Sequence, residues 1–351
     1  MMQTLRLKVD AADLGSPPSR AAIEQAAAVI KAGGTVAFPT ETVYGLGANA
    51  LDAAAVAKIF AAKQRPGWDP LIVHLASRSM LSVITRQMPE NAAKLMDAFW
   101  PGPLTLLLPR SLAVPDVVTA KRPLVGVRIP RHPVAHALLL AAGVPVAAPS
   151  ANLFGRTSPT FASHVAEDLE GRIDVILDSG ETTHGLESTV IDPTAVPPVI
   201  YRPGIITLEQ IRTICPDAIA FDEKRHNAGE VPKSLPSPGV GIRHYAPRAR
   251  LILVESGPDQ PQRFAAEVTA ATRSGENPGL MLPETFQYSG GRSALVYRWG
   301  TWMNEEEMAR MLFAGLRWLD SAGATVIICP LPEAKGIGIA MRDRLSKASR
   351  I

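Results

Sequence analysis

The chain has 351 residues, which is long for a single hydrophobic core and suits two domains. Its 46% hydrophobic and 20% charged residues are ordinary for a folded protein, and its net charge of +3 permits an anionic ligand or a weak RNA contact rather than the coating of nucleic acid. Two distant cysteines, Cys215 and Cys329, form neither a disulfide framework nor a metal cluster, which favours a reducing compartment.

The amino-terminal sequence MMQTLRLKVD does not resemble a signal peptide, because charged residues interrupt every apolar run. No uninterrupted apolar run reaches the roughly 18 residues that a membrane-spanning helix requires. We therefore expect a cytoplasmic protein that does not bind membranes.

Helices and strands are interspersed over residues 1–215. Ser19 suits the start of a helix that ends at Gly33 and Gly34, and Asp52 can cap a helix that runs to about Gln64. Apolar strands are predicted at 35–38, 71–75, 104–108, 125–129, 144–148, 173–177, 188–191 and 199–201. The last two strands have no helix between them, which favours an α/β domain with a mixed sheet.

Residues 216–247 differ from the rest of the chain. They are rich in proline and glycine and have little apolar periodicity, which predicts a long linker or an ordered functional loop. Beyond it, strands at 250–254, 279–282, 294–297 and 325–329 alternate with helices in a pattern typical of a small Rossmann-like α/β domain. The predicted domains are 1–215 and 248–351, joined by 216–247.

Two cations at the end of a predicted helix could bind phosphate. Lys63 and Arg65 precede Pro66, and cations at this position also offset the helix dipole, which is the simpler explanation. The proline-containing turns that follow, as far as Pro70, hold this corner rigid where a triphosphate could reach it. The polar loop 40–44, directly after an apolar strand, adds hydroxyl groups suited to a small polar ligand.

Two polar side chains lie within apolar strands. Period-two alternation places His74 on one face with Ile72, where it either lines a cavity or is an ordinary core histidine. Arg128 is flanked by Val127 and Ile129 and needs an anionic partner. A ligand carboxylate and an internal salt bridge are equally good candidates for that partner.

Further polar residues follow predicted strands, where α/β folds often present ligand groups. They are Ser150, Asn152, Ser158, Glu187, Ser188, Thr189, Arg202, Arg243, His244 and Tyr245. Ordinary turn formation explains many of them equally well. Standard templates fail: there is no P-loop, and residues 336–341 match a dinucleotide fingerprint at only two glycines.

Seven motifs between residues 38 and 204 carry a family resemblance. They are FPTETVYGLGA, K-x-R followed by PLIVH, WPGPLT, VRIP, APSAN, ESTV and RPG. In this order they resemble the YrdC-like L-threonylcarbamoyladenylate synthases. The SPG…HYAP and AMRDRLSKAS segments are similar to the long two-domain form of that family.

The resemblance implies a curved mixed sheet around a large cavity, followed in the sequence by a smaller Rossmann-like α/β domain. It implies an enzyme that converts L-threonine, bicarbonate and ATP to threonylcarbamoyl-AMP and pyrophosphate, with Mg²⁺ accompanying ATP. The product would pass to a separate tRNA threonylcarbamoyl transferase complex that modifies tRNAs reading ANN codons.

Site residues carry over by motif position. The catalytic cations would be Lys63 and Arg65. The threonine-binding set would be Thr42, His74, Arg128 and Ser188, with Arg128 on the carboxylate. The ATP-binding set would be Arg65, Asp69, Ser150, Asn152, Ser158, Arg202 and Tyr245, and no protein ligands to a metal are expected. Tyr245 would make residues 216–247 a lid.

Two other functions share some of these features. A hydrogenase-maturation carbamoyltransferase carries this domain together with zinc fingers, which two cysteines cannot build. A double-stranded-RNA-binding or ribosome-assembly module without catalysis would also suit a basic cavity. The release of pyrophosphate from threonine, bicarbonate and Mg-ATP distinguishes the enzyme from such a module.

Overall fold

The computed structural model describes residues 3–222, 244–286, 288 and 295–350. The described chain divides into two compact units: residues 3–154, 159–183 and 187–222 form the first, and residues 155–158, 184–186 and 244–350 form the second. Most of the predicted linker 216–247, including Arg243, lies outside the described residues.

The first unit contains one large mixed sheet. Its strands are β1 (Leu5–Lys8), β2 (Val36–Phe38), β3 (Gly45–Asn49), β4 (Ile72–His74), β5 (Leu104–Pro109), β6 (Leu124–Arg128), β7 (Val146–Ala147), β8 (Val175–Asp178), β9 (Thr189–Asp192), β10 (Val199–Arg202) and β11 (Ile219–Ala220). Within the described residues their order is β1-β8-β2-β3-β7-β4-β6-β5-β9-β10-β11, with parallel and antiparallel pairs. The predicted mixed sheet is confirmed.

Eight helices of the described first unit cover this sheet. They are α1 (Pro17–Lys31), α2 (Ala53–Lys63), α3 (Leu81–Ile84), α4 (Glu90–Phe99), α5 (Asp116–Thr119), α6 (Pro133–Ala142), α7 (Ala162–Leu169) and α8 (Leu208–Arg212). The Asp52 side chain accepts hydrogen bonds from the first turn of α2, as predicted. Helix α7 begins after Phe161, which offers no side-chain capping hydrogen bond.

The central strands of the sheet are buried on both faces. Along β2, Ala37 packs into one hydrophobic cluster, while Val36 and Phe38 pack into another, as the alternation of a strand requires. Strands covered on both sides have few exposed positions, so a polar side chain within them is enclosed by the fold. The polar residues at the ends of these strands are therefore surrounded by protein rather than by water.

The second unit is a smaller α/β layer. Its strands are β12 (Arg250–Val254), β13 (Pro278–Leu282), β14 (Leu295–Arg298) and β15 (Val326–Pro330), and its helices are α9 (Gln260–Arg273), α10 (Glu305–Ser321) and α11 (Gly338–Ala348). These described strands pair in parallel in the order β12-β15-β13-β14. The core includes Phe264, Leu280 and Ile328. The predicted Rossmann-like domain is confirmed.

The described residues contain no helix that is both long and apolar enough to cross a membrane. The large enclosed cavity implied by the family resemblance stays a prediction.

Candidate active site

Arg128 is held by the polar loop that follows β2. Its Nη2 lies 2.6 Å from Oε1 of Glu41, and its Nη1 donates a 3.0 Å hydrogen bond to the Thr42 hydroxyl. Nε donates to the Gly102 carbonyl at 3.2 Å. The internal salt bridge considered for Arg128 is therefore present. Its remaining N–H groups are the ones that a ligand carboxylate would use.

Glu41 is ionised despite its burial. Burial raises the pKa of its carboxyl group, but the nearby Arg128 cation and the hydrogen bonds to the carboxylate outweigh that effect, and the pKa falls below its usual value. A hydroxyl chain extends from this ion pair, because Thr40 Oγ1 lies 2.8 Å from Thr42 Oγ1. The loop thus places an anion, a cation and two hydroxyl groups together.

His74 is next to Arg128 across the sheet. Strands β4 and β6 are parallel, and their register sets His74 directly opposite Arg128. Burial lowers the pKa of His74 to about 3, and the Arg128 cation adds to this effect. The imidazole is neutral at physiological pH, so it can offer one donor and one acceptor without adding charge.

Ser188 forms a second polar group with Arg202. The Arg202 side chain donates to the Ser188 carbonyl oxygen at 3.0 Å and to its hydroxyl at 3.1 Å. Thr105 Oγ1 lies 2.8 Å from the same hydroxyl. A predicted threonine-binding residue and a predicted ATP-binding residue are therefore in direct contact, at the start of β9 and the end of β10.

Asp69 lies among the cations of the K-x-R motif. Its carboxylate is 2.9 Å from Nη2 of Arg65, and both side chains are buried. Burial raises the pKa of Asp69, and the surrounding cations of Arg65, Lys63 and Arg202 oppose this rise. The structure brings these four residues into one electrostatic cluster, in which three cations act on the Asp69 carboxylate.

Lys63 connects this cluster to the APSAN loop. Its ammonium group donates to the backbone carbonyl oxygens of Ser150 and Asn152, and the side chain is 1% exposed. Compensation of the helix dipole does not by itself explain Lys63, because its ammonium group binds a loop that lies 87 residues further along the sequence. The lysine thus fixes the backbone between two predicted ATP-binding residues.

Ser158 and Tyr245 belong to the second unit. Tyr245 has a positive φ of 63° and is almost completely buried. Its ring stacks on Phe313 with centroids 5.7 Å apart, and the Arg344 guanidinium lies 5.2 Å from its centroid. The predicted lid residue is therefore also a packing residue of this unit.

The structure groups most of the predicted site residues but leaves their roles as predictions. Sequence reasoning missed Glu41 and Thr105 as site residues. Glu41 carried a usable signal, because an acidic residue in a loop between two buried strands needs a cation, just as Arg128 needs an anion. Thr105 carried none, because a threonine in a strand is ordinary.

Two family models together match nearly the whole chain. A model described as telomere recombination, named for Sua5, YciO and YrdC, matches residues 28–204. A model described as the threonylcarbamoyl-AMP synthase C-terminal domain matches residues 206–350.

Relatives match over the same length. A threonylcarbamoyl-AMP synthase of Pyrococcus abyssi is 45% identical over 93% of this chain and 94% of its own length. One of Bacillus subtilis is 43% identical over 99% of this chain and 98% of its own length. The solved structure of P. abyssi Sua5 complexed with L-threonine matches with a TM-score of 0.90 and 41% identity, covering 99% of this chain and 98% of that one. The chain therefore belongs to the threonylcarbamoyl-AMP synthase family, in its two-domain Sua5 form.

Proposed function

We propose that this protein is a threonylcarbamoyl-AMP synthase that joins L-threonine, bicarbonate and ATP, with release of pyrophosphate. The observation that carries the proposal is the buried cluster of Lys63, Arg65 and Arg202 around Asp69. Three buried cations act on this one carboxylate, so the corner is electropositive. A nucleotide triphosphate, whose phosphates carry several negative charges, is the kind of ligand that such a corner favours.

The reaction needs positioning and charge neutralisation more than a protein nucleophile. The threonine nitrogen and bicarbonate would form a carbamate with loss of water. The carbamate oxygen would then attack the α-phosphorus of ATP, and pyrophosphate would leave in line. Lys63 and Arg65 would neutralise charge on the phosphates. Ser150 and Asn152 would bind the nucleotide from a loop that Lys63 already holds.

Threonine would be bound by Thr42, His74, Arg128 and Ser188. Arg128 would take the carboxylate with the N–H groups that Glu41, Thr42 and Gly102 leave available. A neutral His74 would hydrogen-bond to the substrate without disturbing the charge balance. Support for this assignment comes from the P. abyssi protein, which has been solved with L-threonine.

Magnesium would enter with ATP. The described residues contain no group of three His, Cys, Asp or Glu side chains that could hold a metal ion. Asp69, the acidic residue of the cluster, already faces three cations. We propose that ATP rather than the chain would hold the Mg²⁺ ion, which would neutralise charge on the phosphates.

The product would serve tRNA modification through a separate transferase. A mixed anhydride of a carbamate and a phosphate is an activated acyl donor, so a second enzyme would transfer the threonylcarbamoyl group to an acceptor, with AMP as the leaving group. We infer that this enzyme is the transferase complex that modifies an adenosine in tRNAs reading ANN codons.

The test is pyrophosphate release by the purified full-length chain with L-threonine, bicarbonate and Mg-ATP. We expect release that depends on all three substrates and a product whose mass equals that of threonylcarbamoyl-AMP. A binding module without catalysis would release no pyrophosphate, and that result would refute the proposal.

A further inference from the structure

The second unit has a cavity that none of the residues assigned to threonine or ATP lines. Its volume is about 490 Å³. The lining comes from residues 256–258 after β12, residues 331–335 after β15, and residues between 302 and 308 around the start of α10. The cavity therefore lies at the carboxyl ends of the parallel strands.

The topology of the unit places a crevice at this point. The crossovers from β12 to β13 and from β14 to β15 run in opposite directions along the sheet, so their helices α9 and α10 cover opposite faces. Helix α11 contacts α10 and shares its face. After β12 the chain continues to one face of the sheet, and after the neighbouring β15 it continues to the other face. Open α/β sheets bind ligands in the crevice between two such strands.

Gln260 offers one hydrogen-bond acceptor to the cavity. Its side-chain nitrogen donates to the carbonyl oxygens of Val254 at 2.9 Å and Leu331 at 3.0 Å, which are at the ends of β12 and β15. These two bonds fix the orientation of the amide. Its carbonyl oxygen accepts no hydrogen bond from the described residues, although the side chain lines the cavity and the residue is 8% exposed.

The start of α11 is closed to phosphate. A Glu305 oxygen accepts a 2.9 Å hydrogen bond from the Ile337 backbone nitrogen, where a bound phosphate would otherwise be favoured. Gly336 has a φ of 49°, and a Cβ there would lie 2.7 Å from the Glu305 carboxylate. Internal packing therefore explains both glycines of the partial dinucleotide fingerprint. Gly336 leaves room for the Glu305 carboxylate, and Gly338 leaves room for the carbonyl oxygen of Glu333.

The cavity favours a ligand without negative charge. It is lined by Glu305 and Glu333 and by one cation, Lys335, which is 2.7 Å from Glu333. Its polar groups are mainly acceptors, so hydrogen-bond donors on the ligand are favoured. The half-buried Trp302 and the buried Met308 form an apolar wall that suits a flat ring.

We propose that this crevice is a binding site for an uncharged nucleobase or nucleoside that carries an exocyclic amino group. The amino group donates to the Gln260 carbonyl oxygen, the ring packs on Trp302, and Glu305 accepts from a ribose hydroxyl or a ring N–H. A 5′-phosphate is disfavoured because Glu305 already occupies the helix start. The site is separate from the ATP site of the proposed reaction.

The experiment titrates the full-length protein with adenosine by calorimetry. Saturating L-threonine and an ATP analogue with carbon between its α- and β-phosphorus atoms first occupy the catalytic site. We expect one further adenosine to bind per chain, and AMP to bind about tenfold more weakly because of repulsion by Glu305. No binding in the presence of the analogue, or tighter binding of AMP, overturns the proposal.

Three variants link the binding to this crevice. Trp302→Ala should weaken adenosine binding about tenfold, and Trp302→Phe should restore most of it, because the flat ring returns. Glu305→Gln should narrow the difference between adenosine and AMP. Pyrophosphate release should persist in Trp302→Ala, which shows that this variant is folded. Wild-type adenosine affinity in folded Trp302→Ala overturns the assignment.

Discussion

Glu41 Oε1 lies 2.6 Å from Nη2 of Arg128, and the two side chains are only 5% and 4% exposed. Breaking a buried ion pair by removing one partner typically costs about 3–5 kcal/mol, because the remaining charge stays desolvated. The pair therefore contributes to the fold as well as to the orientation of the Arg128 guanidinium.

Glu41→Gln should lower the free energy of unfolding by about 3 kcal/mol, since the amide keeps the shape of the side chain but leaves Arg128 without its counter-charge. Urea unfolding at pH 7 measures this change. Glu90→Gln is the matched control, because Glu90 pairs with Lys94 on the exposed surface, where such pairs contribute little. Equal stabilities of the wild type and Glu41→Gln would contradict the prediction.

His74 should make the fold sensitive to acid. Its pKa is about 3 in the folded state and about 6.5 in an unfolded chain, so between these values the unfolded state binds the proton. Its contribution to stability is complete above pH 6.5 and is lost as pH falls toward 3, at up to about 1.4 kcal/mol per pH unit. Unfolding free energies at pH 7.5 and 5 should therefore differ less in His74→Gln than in the wild type. Identical differences would exclude a buried neutral His74.

Arg65→Ala and Lys63→Ala should each lower turnover strongly. One charge-assisted contact in a closed site is worth about 1.5–3 kcal/mol, or on the order of tenfold to a hundredfold in rate. Lys63→Ala should also destabilise the protein, because the ammonium group holds the carbonyl oxygens of Ser150 and Asn152. Pyrophosphate release and urea unfolding separate these effects.

Lys58→Ala is the control for these two variants, because it removes an exposed cation from the same helix. It should keep near-wild-type turnover. Near-native pyrophosphate release by the double variant of Lys63 and Arg65 would refute the catalytic assignment.

Substrate selection should depend on the hydroxyl group of threonine. A site built to hydrogen-bond a hydroxyl group rejects substrates without one, since its own polar groups then lose their partners. Turnover of 2-aminobutyrate should therefore be poor, whereas serine, which lacks only a methyl group, should be penalised by roughly 1–3 kcal/mol. Competition assays that compare kcat/KM test this, and equal values for threonine and 2-aminobutyrate would disprove hydroxyl recognition.

Tyr245 should affect both packing and product retention. Tyr245→Ala removes a ring that stacks on Phe313, so it should destabilise the second unit and also release more free threonine and AMP through hydrolysis of the product. Tyr245→Phe keeps the ring and loses only the hydroxyl group. If the hydroxyl group binds ATP, this variant should have normal stability and a raised KM for ATP. An unchanged KM in Tyr245→Phe would limit Tyr245 to packing.

The apolar strands could be predicted because their pattern is local. Strand β3 was missed, since Gly45–Asn49 lacks the branched and aromatic residues that favour strands. Its pairing depends on distant side chains: a Cβ at Gly47 would lie 2.7 Å from both the Phe38 ring and the Val146 side chain. No local pattern reveals such a requirement.

In the candidate site, too, the sequence predicts which side chains are buried but not which distant residues they contact. Burial of Arg128 and its need for an anion followed from the apolar residues around it. The identity of that anion, Glu41, depends on how the loop after β2 meets β6. The reach of Lys63 to the APSAN loop likewise depends on a distant part of the chain. Alternation identifies the face of a side chain but not its partner.

The cation cluster of the first unit gathers three positive side chains around Asp69 in a buried corner. A ligand that binds this corner in the folded chain and not in the unfolded chain stabilises the folded chain by mass action. With ATP assigned to this cluster as proposed, the purified protein should unfold at a higher temperature when Mg-ATP is present.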